Sequence, residues 1–365
     1  MKKFILLLCV VFLCACTNKP AQLNDGIQTG SLAEVGFDPK RIEQLLNKDY
    51  KELHSLLVYK DGLLVLEKYF KGNDDYIEFE NNIFRNKSRP HVQWSVDKKH
   101  YVASVNKALT ATLTGIAFDK FDIPLRTKLS ALLPQYRKYF QTPNKAKITI
   151  KDLLTMRMGF DWDEWGRDDL ALLWQSDDFG KYLLSRANNG PGKAWKYNSA
   201  GPNLLLKGLQ NVVKQPLRTW ADQHFYSKLG ITDFTWQSQP DGDPEGSARM
   251  FMRPRDMLKV GITYLNKGKW QDEQVIPAKW VEAVSTVQAT SEAGDYSYLF
   301  WLRELNGIRY ISADGDGGQY INIFPEQNMV IVMTGGNYLE WPVYSKQAQE
   351  IMADIFAGLR RSLAI

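Results

Sequence analysis

Ser104-Val-Asn-Lys107-Ala-Leu-Thr-Ala-Thr-Leu-Thr-Gly-Ile-Ala-Phe118 decides how this chain is read. After Lys107 the stretch is uncharged and rich in helix formers, and a helix that apolar must be buried. Ser104 stands at its N-terminal turn, where the helix dipole favours negative charge. Lys107, three residues on, shares that face of a helix. A serine hydroxyl is a poor nucleophile until a neighbour takes its proton, and a buried lysine one turn away is able to do so. The spacing alone is weak, since Ser-x-x-Lys should arise about once by chance in a chain of this length. A second copy exists: Ser95-Val-Asp-Lys98. It leads into Lys99-His100 and no apolar helix, so Ser95 reads as surface polarity and Ser104 as the candidate nucleophile.

Strand signals lie outward from this helix, at both ends of the chain. Residues 55–60, the Asp61-Gly62 pair and residues 63–70 form a hairpin pattern with a primed turn. Residues 299–305 and 308–312 flank Asn306-Gly307 in the same way, and residues 319–324 and 329–334 flank a Pro325-Glu-Gln-Asn turn. Three hairpins imply an antiparallel sheet. Between them the patterns are helical: 105–118, 149–156, 168–187, 200–213 and 253–266, with a last helix over 345–363. The expected fold is α+β, an antiparallel sheet built from both chain ends with flanking helices, plus a mostly helical inserted lobe. The sheet lobe falls at about 36–100 and 295–365, the helical lobe at about 101–294. A cleft between lobes is a common ligand site.

With the order of elements in hand, the nucleophile block resembles that of the serine β-lactamase and penicillin-binding-protein superfamily. The closer likeness is to its class C-like branch of esterases, D-amino-acid peptidases and 6-aminohexanoate-oligomer hydrolases. Several blocks carry it in order: Glu67-Lys-Tyr-Phe-Lys-Gly72; Ser104-Val-Asn-Lys107; Ile148-Thr-Ile-Lys-Asp-Leu-Leu-Thr-Met156 with Gly159; and Tyr197-Asn-Ser-Ala-Gly201 with Asn203-Leu-Leu-Leu206. Arg255-Asp256 with Lys259 and Gly261, and Gly315-Asp-Gly-Gly-Gln-Tyr320, complete the set. The likeness spans residues 36–365.

The resemblance implies that Tyr197 relays the proton of Ser104 or protonates the leaving group. A tyrosine acting as base needs a neighbouring cation, a role open to Lys107. The family's Tyr-x-Asn is altered here to Tyr197-Asn198-Ser199, so Asn198 or Ser199 is expected to bond the substrate amide or Lys107. The third motif, a Lys-Thr-Gly or His-x-Gly in the family, is Asp316-Gly317-Gly318. Its glycines let substrate backbone approach the strand. By resemblance the N–H groups of Ser104 and Gln319 form the oxyanion hole. Asp316 puts an anion where the family carries a cation. Facing the cleft, it disfavours carboxylate-bearing acyl donors; paired with a local Lys or Arg, it never meets substrate.

The first residues form a separate unit. Met1-Lys2-Lys3, an apolar run over 4–13 and small residues after it have the layout of a secretory signal, too short for a spanning helix. Leu13-Cys14-Ala15-Cys16 resembles the bacterial lipobox, which implies cleavage after Ala15 and lipid on Cys16. Residues 16–35, polar at first, read as a flexible tether. Thr17 after Cys16 is not the Asp associated with inner-membrane retention, so the outer membrane is the expected anchor point in the cell envelope. All three cysteines lie at or before the cut, which leaves no internal disulfide. Loss of Lys2 and Lys3 lowers the formal charge from +5 by two, to +3, too weak a balance to indicate nucleic acid.

No phosphate-binding loop or HExxH is present, and His54, His91, His100 and His224 are not at metal-ligand spacing, so neither cofactor nor metal is expected. Of the 11 tryptophans, Trp94, Trp162, Trp165, Trp174, Trp195, Trp301 and Trp341 are candidates for core, rim or acyl pocket. The sequence therefore leads to an exported serine hydrolase acting on a small ester or amide through an acyl-enzyme. A β-lactamase or D-Ala-D-Ala carboxypeptidase, and a catalytically idle envelope-binding protein, are the alternatives.

Overall fold

The computed structural model describes residues 19–77 and 90–360. The signal segment, Cys16 and the last five residues lie outside them.

Eight strands form one antiparallel sheet: β1 (Leu53–Lys60), β2 (Leu63–Tyr69), β3 (Ala289–Ser291), β4 (Gly294–Tyr296), β5 (Trp301–Leu305), β6 (Ile308–Gly315), β7 (Gln319–Phe324) and β8 (Met329–Gly335). Their order is β3-β4-β5-β6-β7-β8-β1-β2, so the N-terminal hairpin closes onto the C-terminal strand. The three expected hairpins are all present. The β3–β4 pair was not foreseen, because Thr290, Glu292 and Asp295 break any apolar alternation over so short a run.

Both faces of the sheet are covered, and the strands read accordingly. Along β1, Leu57 and Tyr59 enter one core while Leu56 and Val58 enter the other. Along β8, Val330 and Val332 face the first core, and Met329, Ile331 and Met333 the second. Period-2 alternation sends successive side chains to opposite faces, so strands buried on both sides become unbroken apolar runs. The second core is closed by helices α1 (Pro39–Leu46) and, near the C-terminus, residues 343–357.

The larger core holds α2 (Val105–Lys120), α3 (Ile150–Leu154), α4 (Ala200–Val213) and α5 (Pro254–Leu265), and the last helix is α6 (Val343–Ala357). Every residue of α2 from Val105 to Phe118 is buried, as its composition required. Gly115 is the close-approach point, since a Cβ there would lie 2.2 Å from the Trp280 ring. α3 begins at a capping box in which Thr149 and Asp152 bond reciprocally. Two expectations need correction. The helix over 168–187 is two helices, Asp169–Trp174 and Phe179–Ser185, because the Asp178 side chain accepts the Lys181 N–H and starts a new one. The tether is fastened from Ala21 on: Arg255 donates to Ala21 O at 2.7 Å and Asp25 Oδ2 at 2.9 Å, and Ile27 is buried.

Candidate active site

Ser104 sits where strand His100–Tyr101 turns into α2. The preceding residue, Ala103, has φ +47. A non-glycine residue held in the left-handed region is costly and persists only where its surroundings over-determine it. Here the N–H groups of Val105, Asn106 and Lys107 donate to the carbonyls of Val102, Ala103 and Ser104 at 3.0–3.2 Å, closing the turn.

Lys107 is buried at 2% exposure, and its Nζ donates to Ser104 Oγ at 2.9 Å and to Ser247 O at 3.0 Å. The Ser247 carbonyl is set by a buried carboxylate the sequence reading did not single out. Glu245 accepts from the N–H groups of Ser247 (2.9 Å), Ala248 (2.7 Å) and Arg249 (3.0 Å), from Asn203 Nδ2 (3.1 Å) and from the Ser247 hydroxyl. Its backbone oxygen accepts from Asn106 Nδ2 at 2.8 Å, tying the turn to α2 one residue before Lys107. A carboxylate with several donors is a strong, short-range organiser in a low-dielectric interior.

Tyr197 comes next to the pair. Lys107 Nζ lies 4.8 Å above its ring centroid, and the ring stacks on Trp301 at 6.4 Å with an interplanar angle of 13°. Lys107, Ser104 and Tyr197 are thus brought together as expected. Their neighbours are not. The Asn198 side chain accepts from the N–H groups of Ala200 (2.9 Å) and Gly201 (3.1 Å), capping α4. Ser199 bonds Glu164 through its N–H (3.0 Å) and its hydroxyl, and Glu164 also accepts the Trp162 indole N–H at 2.6 Å. Both residues are 2% exposed and turned toward protein partners, so the expected bond to Lys107 or substrate is corrected to a scaffolding role. Burial pushes the Glu164 carboxyl up, against Lys107 and the Ser199 and Trp162 donors, which favour its anion.

The cleft in front of Ser104 has a volume of about 290 Å³. Trp195 and Tyr197 line it, with Trp301, Gly315 and Tyr320 from the sheet, Asp316 just after β6, Tyr344 from α6, and the exposed Trp165 and Trp341 at the rim. Four of the noted tryptophans therefore reach the cleft, while Trp94, Trp162 and Trp174 are core. β5 pairs with β6 only as far as Trp301↔Ser312, so Ala313–Gly315 run on as an open edge. Gly315 is required there, since a Cβ would lie 2.4 Å from Val102 O.

The expected role of Gln319 does not survive this topology. It lies on β7, between β6 and β8, pairs with Gly315, and its side chain donates to Gly335 O at 2.6 Å. An interior strand aims its N–H at a neighbouring strand, not at the cleft. Gly317 and Gly318, at φ +84 and +101, form the β6–β7 turn behind the lining. Gly317 packs on Tyr338 and accepts the Asn337 N–H at 3.1 Å.

Asp316 does line the cleft, and its Oδ2 accepts the Leu339 N–H at 2.8 Å. The cleft also holds a cation the sequence reading missed. Arg303 donates to Asp314 Oδ2 from Nε (3.0 Å) and Nη2 (2.5 Å) and lies 4.6 Å over the Trp301 ring. Its signal was present in the alternation of β5, but the motif drew attention two residues too far along, past Asp314. Ser95 and Lys98 sit in a half-buried turn, with Lys98 Nζ 5.6 Å over the Trp94 ring. Among the described residues no three His, Cys, Asp or Glu side chains converge as a metal site.

No curated protein matches the chain in sequence. Solved structures share its fold. A Bacillus anthracis protein titled a 6-aminohexanoate-dimer hydrolase superposes with TM-score 0.68 at 19% identity, covering 86% of this chain and 81% of its own. A penicillin-binding-protein homologue from Caulobacter crescentus gives 0.66 at 14%, over 94% and 100%. Simvastatin synthase from Aspergillus terreus gives 0.65 at 16%, over 92% and 99%. At such identities these likenesses establish the fold. The sequence profile of the β-lactamase family matches residues 51–339, which is most of the chain and includes Ser104, Lys107 and Tyr197. The chain belongs to the β-lactamase family and is a serine hydrolase of that superfamily.

Proposed function

We propose that this protein is exported and cleaves a small ester or amide through an acyl-enzyme on Ser104. The observation that carries the reading is the Lys107 Nζ to Ser104 Oγ hydrogen bond at 2.9 Å, opening on a cleft lined by Tyr197. Ser104 Oγ attacks the carbonyl carbon and its proton passes to the Lys107–Tyr197 pair, which returns it to the leaving group. The N–H groups of Ser104 and Asp316 hold the oxyanion, Asp316 taking the place expected of Gln319 because it follows the open β6 edge. Water then attacks the acyl carbon and frees the acid. Export and a lipid on Cys16, anchoring the body in the cell envelope at the outer membrane, rest on the Met1–Cys16 pattern.

A penicillin or a D-Ala-D-Ala peptide fits this cleft less well. Its carboxylate would meet Asp314 and Asp316, and a guanidinium already bound to Asp314.

A fluorophosphonate probe labels the full chain, Ser104→Ala abolishes labelling, and Ser95→Ala retains it. Labelling that survives Ser104→Ala, or that is lost with Ser95→Ala, overturns the assignment. Failure of every acylating probe on the folded protein leaves the idle-scaffold alternative.

A further inference from the structure

Exposed large apolar side chains are few among the described residues, and half of them lie on two segments that reach the mouth of one cleft. Trp341 (73% exposed) and Trp165 (55%) both line the mouth of the Ser104 cleft. Leu339 and Val343, each 42% exposed, flank Trp341 on the same segment. The two tryptophans come from different segments, one from the loop after Trp162 and the other from the loop between β8 and α6.

These side chains are held out by their backbones. Asn337 donates its N–H to Gly317 O at 3.1 Å and its amide to Lys51 O at 2.7 Å; Leu339 is pinned by Asp316; and Glu340 is ion-paired with Lys51. Around Trp165, Gly166 N–H bonds Asp163 at 2.9 Å, and Arg167 bridges Asp161 and Asp169 at 3.0–3.1 Å. Water-exposed apolar surface on a well-anchored frame is unfavourable, and a contiguous patch of it marks a binding surface. Inside the mouth the apolar wall continues through Trp195, Tyr197, Trp301 and Tyr344, and the charged pair in the cleft, Arg303 and Asp314, is spent on itself.

We infer that this collar seats a medium-chain aliphatic group of the substrate, which makes the enzyme selective for amphiphilic esters or amides over short or polar ones. The inference rests on the hydrolase reading of the same cleft. Continuity of the exposed collar with the lining around Ser104 is what identifies its occupant as substrate. The chain belongs to either the acyl or the leaving side of the scissile bond, which share this chemistry.

The test compares kcat/KM of the full chain for p-nitrophenyl octanoate against acetate, and for octyl against ethyl acetate, all below their micellar concentrations. The expected result is a preference for the longer chain of roughly tenfold or more in one of the two series. The Trp165→Ala/Trp341→Ala double variant lowers that ratio about tenfold, and the series affected tells which side the collar serves. Both tryptophans are exposed, so the variant keeps its melting temperature, and fluorophosphonate labelling of Ser104 reports the chemistry separately. Labelling and ester turnover without chain-length preference, or a double variant that loses both members of a series equally, overturns this inference and leaves the hydrolase reading standing. Loss of binding to phosphatidylglycerol vesicles by the double variant, with no change in either ratio, also overturns it, by making the collar a membrane-docking surface. Absence of labelling and of all turnover overturns the hydrolase reading itself.

Discussion

Two copies of Ser-x-x-Lys lie nine residues apart in this chain, and they have opposite fates. Ser95 and Lys98 occupy a half-buried turn, where the lysine amine rests over the Trp94 ring. Ser104 and Lys107 open a helix buried from Val105 to Phe118, and that lysine is 2% exposed. What differs is the supply of partners. Lys107 is met by the Ser104 hydroxyl at the start of its own helix, and by the Ser247 carbonyl and the Tyr197 ring, which other segments bring in. Burying an amine without such partners costs far more than a fold can spare. A four-residue motif therefore becomes a site only where the tertiary structure has already arranged its hydrogen bonds.

The comparison breaks most sharply at the lysines. Lys107→Ala is expected to lower kcat/KM by about 10³-fold, within the range for loss of a general acid–base partner. A small effect would mean that Tyr197 alone carries the proton. Next comes the turn that turns Ser247 toward Lys107. Glu245→Gln removes the charge that five donors address and is expected to destabilise the fold by about 2–3 kcal/mol, measured by urea unfolding. The same substitution should lower kcat more than it raises KM, since it loosens Lys107 and leaves the cleft mouth alone.

A third effect, smaller again, is expected between the two copies, at His100. His54 Nδ1 and His100 Nε2 lie 2.8 Å apart in the interior, with Glu52 on the other nitrogen of His54 at 3.1 Å and the Trp94 ring stacked on His54. His100 also bonds Tyr101 O at 3.0 Å and has the Tyr338 hydroxyl at 3.5 Å. Burial depresses both imidazoles below their ordinary value of 6.5, more so His100, and the bond from His54 holds Glu52 down at about 2. A depressed folded value means stability present above the unfolded value and lost as pH falls. The melting temperature should thus be level from pH 8 to 7 and fall below pH 6.5, with the Glu52 contribution following between 4.5 and 2. His100→Gln should flatten the first decline by about 2–4 °C. An unchanged slope would assign the decline to other groups. The smallest effect belongs to the Ser95 copy, where Lys98→Met should change stability by less than about 0.5 kcal/mol and leave turnover as it was.

How much of this was legible follows from which residues act locally. The three hairpins and the buried α2 that starts after Ser104 were readable, because apolar periodicity and Asp-Gly or Asn-Gly turns act over a few residues. The split at Asp178 and the β3–β4 pair were not, since a single cap and two short polar strands leave no periodic trace. In the site, the meeting of Ser104, Lys107 and Tyr197 was expected from blocks in order. Glu164, Glu245 and Arg303 were invisible, because an acidic or basic residue looks the same in sequence whether it is solvated or the centre of a buried network.

The sequence by itself determined the sheet from both chain ends, the helix that must be buried, and the serine and lysine at its start. Those follow from hydrophobic periodicity and from which side chains are able to do nucleophilic chemistry. Only the tertiary structure decided that Asn198 and Ser199 serve the scaffold, that Gln319 faces a neighbouring strand while Asp316 faces the cleft, and that Trp165 and Trp341 stand exposed around it. Each of these is a matter of direction: which side of a strand an N–H points to, and which of several donors reaches a carboxylate first. Direction is set by contacts between residues tens to hundreds of positions apart, as when Lys107 meets Ser247 or Arg255 meets Glu67.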